Sequence, residues 1–114
     1  MIHAYFEQQG DLLVGCSVKG HASKRSGKQQ ESILCAAVSS AMQLTANTLT
    51  EILHAEVELM AHPSERDSQN HLAFRLKQPD AVQSDLLRGL LLHFTILRED
   101  FNGGIAVEVR TVTE

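Results

Sequence analysis

The chain has 114 residues, 43% of them hydrophobic and 21% charged, with a formal net charge of −4 at pH 7. That length fits one domain, residues 1–114, large enough to bury a core of its own. The acidic balance argues against a general nucleic-acid binder, so no direct nucleic-acid contact is expected, and no apolar run is long enough to span a membrane.

Residues 2–7 predict a short strand, and Gln8-Gln9-Gly10-Asp11 the turn after it. From Asp11 to Gly20 the residues alternate, with Leu12, Val14, Cys16 and Val18 on one face and Leu13, Gly15, Ser17 and Lys19 on the other. This is the pattern of a half-buried strand closing a hairpin, with Cys16 turned to the core. His21 falls where the chain leaves that strand. Ala22 to Glu31 then carries nothing apolar larger than alanine, which reads as a surface loop long enough to be functional. Ser32 is placed to cap a helix reaching about His54, with Leu34, Val38, Ala41, Thr45, Leu49 and Ile52 as its buried stripe. Two further strands follow at residues 56–62 (Val57, Leu59, Ala61 inward) and 71–77 (Leu72, Phe74, Leu76 inward), joined by the polar run Pro63–Asn70. Asp80 caps a second helix, with Gln83 completing a capping box. Its stripe is Leu86, Leu90, Phe94, Leu97 and Phe101, and Leu87 and Leu91 add a second apolar flank. Asn102-Gly103-Gly104 ends it through a left-handed glycine, and Ile105–Val112 alternates as a last strand. The order β-β-α-β-β-α-β gives an α+β, two-layer sandwich, a mainly antiparallel sheet with two helices on one face.

The chemistry centres on Cys35 and His21. With Ser32 as cap, Cys35 falls in the first helical turn, where unpaired amides and the helix dipole favour a thiolate. A histidine held nearby adds a proton acceptor and donor, and amides of the same turn would hold an oxyanion. The competing reading is a cysteine that is merely packed, and this is the one assigned to Cys16. Ser39 lies one turn after Cys35 on the same face, either reaching the site or bonding back to the main chain. His3, His54, His62, His71 and His93 lack metal-ligand spacing, so no metal or cofactor is expected. Lys24, Arg25 and Lys28 read as a solvated loop. Two cysteines and no charged-then-apolar leader at Met1–Glu7 fit a reducing, cytoplasmic setting.

Gly20-His21-Ala22, a polar loop with Gly27, and Ile33-Leu34-Cys35-Ala36-Ala37-Val38-Ser39 closely resemble the signature of the ribosomal-processing cysteine protease family, Prp. The length and element order resemble it too, over essentially the whole chain. The resemblance implies a Cys–His dyad of His21 and Cys35, with Gly20, Ala22, Gly27, Glu31, Ser32 and Ser39 as supporting positions. It also implies an endopeptidase that removes the N-terminal extension of a large-subunit ribosomal protein (bL27-type), cutting after an aromatic residue. A homodimer is implied as well, giving the Leu87/Leu91 flank, or another helix surface, something to bury. Two departures stand out. Ser32 occupies the place of the family's aspartate, with Glu31 one residue away as a substitute, and the loop before Cys35 is longer and more charged. Two other functions compete: a non-catalytic module binding a ribosomal protein or assembly factor with Cys35 unreactive, and a thiol hydrolase of a small ester or thioester, which needs a pocket beside Cys35.

Overall fold

Gly10 and Asp11 fold the N-terminal stretch back on itself, Gly10 supplying the positive φ of 61° that a tight hairpin turn uses. In this computed structural model the hairpin consists of β1 (Ile2–Gln9) and β2 (Leu12–Gly20). The structure describes the backbone of residues 1–20, 28–62 and 71–112, and the side chains of residues 1–20, 32–60 and 72–112. Then come α1 (Lys28–Asn47), a π-helical turn (Thr48–Ile52), β3 (Val57–His62), β4 (His71–Leu76), α2 (Ala81–Asp100) and β5 (Ile105–Thr111). The strands form one sheet in the order β3-β4-β2-β1-β5; β5 runs parallel to β1, and the other neighbours are antiparallel. Side chains from both helices join one core with the inward residues of the sheet, which is the expected α+β architecture.

The inward face of β2 departs from simple alternation. Glu7 pairs with Gly15 but Gln8 pairs with Leu13, so Val14 is an extra residue, a β-bulge. The bulge reverses the parity of the strand's start and turns Leu13, expected outside, into the core with Cys16 and Val18. It also frees the Leu13 amide from the ladder, and this buried donor bonds to the Ser84 hydroxyl of α2 at 2.9 Å. Arg88 of α2 donates to the Asp11 carbonyl at 2.8 Å, so the second helix is pinned to the hairpin at two points.

One ladder row shows how far the helix layer reaches. It runs Leu59, Phe74, Cys16, Phe6, Val109 from β3 to β5. The middle three are at most 3% exposed, whereas Leu59 is 59% and Val109 43% exposed. Phe94 of α2 meets Phe6 edge-on with ring centroids 5.9 Å apart, an arrangement aromatic quadrupoles favour.

The helices differ from expectation in three places. First, α1 starts at Lys28, not after a Ser32 cap, because Lys28-Gln29-Gln30-Glu31 are all good helix formers with no breaker among them. Second, Ile52 is 70% exposed and outside the stripe. The helix widens to π geometry there, with the Leu53 amide bonding Thr48 O at 2.9 Å, and Met42 joins the core instead. Third, Leu87 is fully buried and Leu91 packs against the core, so the chain itself covers the flank that a partner was expected to cover.

The ends of α2 form nearly as read. The Asp80 carboxylate accepts the Gln83 amide at 2.8 Å, although the Gln83 side chain returns to that carboxylate at 3.2 Å, not to the backbone as in a true capping box. At the other end Asn102, not a glycine, takes the left-handed position with φ of 56°. Gly103 N bonds to Arg98 O at 3.1 Å and Asn102 N to Glu99 O at 3.4 Å, a Schellman closure. Asp80→Ala should lower stability by about 1 kcal/mol, the usual loss for a helix cap, read as a lower urea midpoint with an unchanged slope.

Candidate active site

The two cysteines occupy opposite environments. Cys16 is 1% exposed on the inward face of β2, with its Sγ 3.7 Å from Met42 Sδ. Burial pushes its thiol far above the ordinary range, so it is held as a neutral core residue. Cys35 is only partly buried and lines a pocket of about 150 Å³. A larger space of about 500 Å³ lies between the outer flanks of α1 and α2, but its walls hold no cysteine. Chemistry, not size, therefore singles out the smaller one.

The smaller pocket is built at one end of the sheet. Ile2, Val18 and Leu72 rise from β1, β2 and β4, and Val38 comes down from α1, giving an apolar wall. Cys35 and Ser39, four residues apart on α1, share that wall as the helical period requires. Gly20 closes the sheet side. Its φ is 98°, and a Cβ there would sit 2.6 Å from the Met1 carbonyl oxygen, so only glycine fits where the chain turns off β2. Gly20→Ala should destabilise the fold by at least about 1 kcal/mol, the scale of forcing an L-residue into left-handed space, with a visible loss in thermal midpoint.

Of the sequence-derived residues, the structure brings together Gly20, Cys35 and Ser39. Ser32 is exposed on α1. His21, Ala22 and Gly27 lie outside the described residues, as does the side chain of Glu31. Ile2, Val18, Val38 and Leu72 were read only as core; their signal was their inward parity at strand ends that converge on α1.

The early start of α1 changes the electrostatics of the site. Cys35 is the eighth residue of the helix, beyond its first turn. The amides without intrahelical acceptors belong to the first four residues, and the dipole acts mainly there. First-turn amides therefore do not furnish an oxyanion hole at Cys35, contrary to the reading built on a Ser32 cap.

Residues 1–105 match the family model described as cysteine protease Prp. The chain belongs to the Prp family of cysteine proteases. That membership makes it a protease and not a non-catalytic module. Among solved structures, SMU.848 from Streptococcus mutans is similar at a TM-score of 0.81 and 23% identity, covering 98% of this chain and 96% of that one. The ribosomal processing protease Prp from S. aureus, in complex with a substrate peptide, is similar at a TM-score of 0.71 and 16% identity. Its alignment covers 96% of this chain and 100% of the other. The same S. aureus protein with a covalently linked product peptide gives a TM-score of 0.65 at 16% identity, over 96% of this chain and 100% of that one. At these identities the structural likeness speaks to the Prp fold. Curated proteins give no sequence match. No helix among the described residues is long and apolar enough to cross a membrane.

The two thiols should separate by reagent. Iodoacetamide on the native protein should label Cys35 alone, with Cys16 modified only after denaturation, as read by peptide mass spectrometry. Burial raises the folded-state value of Cys16, so the unfolded chain loses that proton first as pH rises. Stability should fall above the ordinary thiol range, near pH 8.5, by up to about 1.4 kcal/mol per unit, and Cys16→Ala should remove this part of the slope.

Proposed function

We propose that the chain is an endopeptidase that removes the N-terminal extension of a large-subunit ribosomal protein of the bL27 type, using a dyad of Cys35 and His21. The observation that carries the reading is the pocket in which the partly exposed Cys35 faces Gly20, the residue covalently joined to His21. His21 takes the Cys35 proton, and the thiolate sulfur attacks the scissile carbonyl carbon to give a tetrahedral oxyanion. Collapse expels the amine, which receives the proton from His21 and leaves a thioester on Cys35. Water, deprotonated by His21, then attacks the thioester; the leader departs as a carboxylic acid and Cys35 regains its proton. The apolar wall of Ile2, Val18, Val38 and Leu72 suits the large apolar side chain of an aromatic residue before the cut.

The remaining supporting positions fall into place around this reaction. Gly20, Ala22 and Gly27 are assigned supporting roles beside the dyad, Glu31 the role of the family's aspartate in orienting His21, and Ser32 is exposed on α1. Ser39 supplies a hydroxyl on the wall of Cys35. Ribosomal processing is supported by the description of the S. aureus relative, and a cytoplasmic site of action accords with it. A homodimer would use exposed apolar residues of α2 such as Val82, Leu92 and Ile96, since Leu87 is spent in the core.

Mixing the protein with the leader-bearing ribosomal protein tests the reading. Wild type and Cys16→Ala should cut it, and Cys35→Ala should lose activity by ~10⁴-fold or more, as expected for a nucleophile. Equal cleavage by Cys35→Ala overturns the dyad.

A further inference from the structure

We infer that the open edge of β3 is a docking strand for the peptide segment that follows the scissile bond, an inference that rests on the proposed endopeptidase function. β3 is the outer strand of the sheet, so one side of its backbone has no partner strand among the described residues. Edges of this kind are normally blunted by lysine, proline or a covering element. Among its described side chains the edge carries one charge, Glu58, and apolar residues on both faces, Leu59 toward the helix side and Met60 toward the open side, 59% and 41% exposed.

The edge also leads to the site. Ala61 of β3 pairs with Leu72 of β4, and Leu72 is part of the wall beside Cys35. His62 and His71 pair next, at the sheet end where His71 meets Lys19 and Gly20 closes the pocket. A strand added outside β3 would lie two strand spacings, ~10 Å, from β4, which about three extended residues can bridge. Antiparallel pairing is the more stable kind, and β3 runs toward the pocket end. A peptide leaving the pocket and running antiparallel to β3 presents the residues after the cut, not those before it.

Charge completes the description of the occupant. Glu56 and Glu58 are exposed beside Leu59 and Met60, and neither has an ion-pair partner among the described residues. The segment that fits is therefore extended, with apolar residues interleaved with basic ones. Backbone bonds to β3 provide affinity and the alternating side chains provide selectivity.

The test uses fluorescent peptides sharing one scissile bond, read by anisotropy on Cys35→Ala so that binding is seen without cleavage. One peptide stops three residues after the bond, a second continues for six more residues alternating Val and Lys, and a third carries that extension ahead of the bond. The second should bind about 10-fold tighter than the first through the tethered second contact. The advantage should vanish in Leu59→Asp/Met60→Asp while short-peptide binding holds. A Val and Glu extension should gain affinity only in Glu58→Lys, a charge exchange that a folding defect cannot mimic. The proposal is overturned if the advantage survives these substitutions or belongs to the third peptide. Loss of self-association alone in the double variant also overturns it, because the occupant would then be a second copy. If wild type cuts neither peptide, the proteolytic reading fails, and the affinity comparison still judges the β3 edge.

Discussion

The helix layer of this protein covers the three central strands of a five-stranded sheet fully and the two outer strands only in part, β5 through Ile105. Along the row from Leu59 to Val109, solvent is excluded from Phe74, Cys16 and Phe6 and returns at both ends. Burial of a large side chain is worth about 1.5–3 kcal/mol, so the central strands carry most of the hydrophobic stabilisation. The outer strands add less burial, with Ile105 of β5 in the core and Val57 and Val107 packed against it. Stability and accessibility are thus divided between different parts of one sheet.

Within the sealed part, the placement of α2 depends on an irregularity. A regular β2 would have paired the Leu13 amide across the hairpin and pointed its side chain away from the core. The extra residue at Val14 turns the side chain inward and leaves the amide for Ser84. A buried, unsatisfied amide costs about 1–3 kcal/mol, so the pairing ties the bulge and the helix together. The bond adds to the hold that Leu87, Leu90, Phe94 and Leu97 give α2 through the core.

Much of this was legible in the residues. All five strands were placed, four of them by which residues share a face, Asp80 marked the start of α2, and Asn102-Gly103-Gly104 marked its end. The inward parity of Cys16 correctly made it a core thiol. The bulge was not legible, because Val14 and Leu13 are both apolar and either could face inward. The start of α1 was misplaced for a related reason: Lys28 to Glu31 are polar, and polarity looked like a loop although their helix propensity is high. For the site, Gly20, Cys35 and Ser39 could be read from one short run, whereas its apolar wall could not. Ile2, Val18, Val38 and Leu72 look like any other core residues until the sheet brings their strand ends beside one helix.

The family match and the geometry bear on different questions. Membership in the Prp family fixes the reaction class, while the environments of the two thiols separate a core residue from an accessible one. The extra helical turn ahead of Cys35 moves the burden of stabilising charge from helix-start amides to other groups. In the proposed mechanism His21 is the partner that carries it.

The parallel pairing of β1 with β5 bears on how the protein can be handled. Ile2 lies opposite Ile105 and Gln8 opposite Thr111, so both strands start at the pocket end and finish at the far end of the sheet. Residues fused ahead of Met1, whose carbonyl faces Gly20, would emerge at the mouth of the pocket. A fluorophore attached at the Thr111 end of β5 leaves from the opposite end of the sheet and stays clear of the pocket.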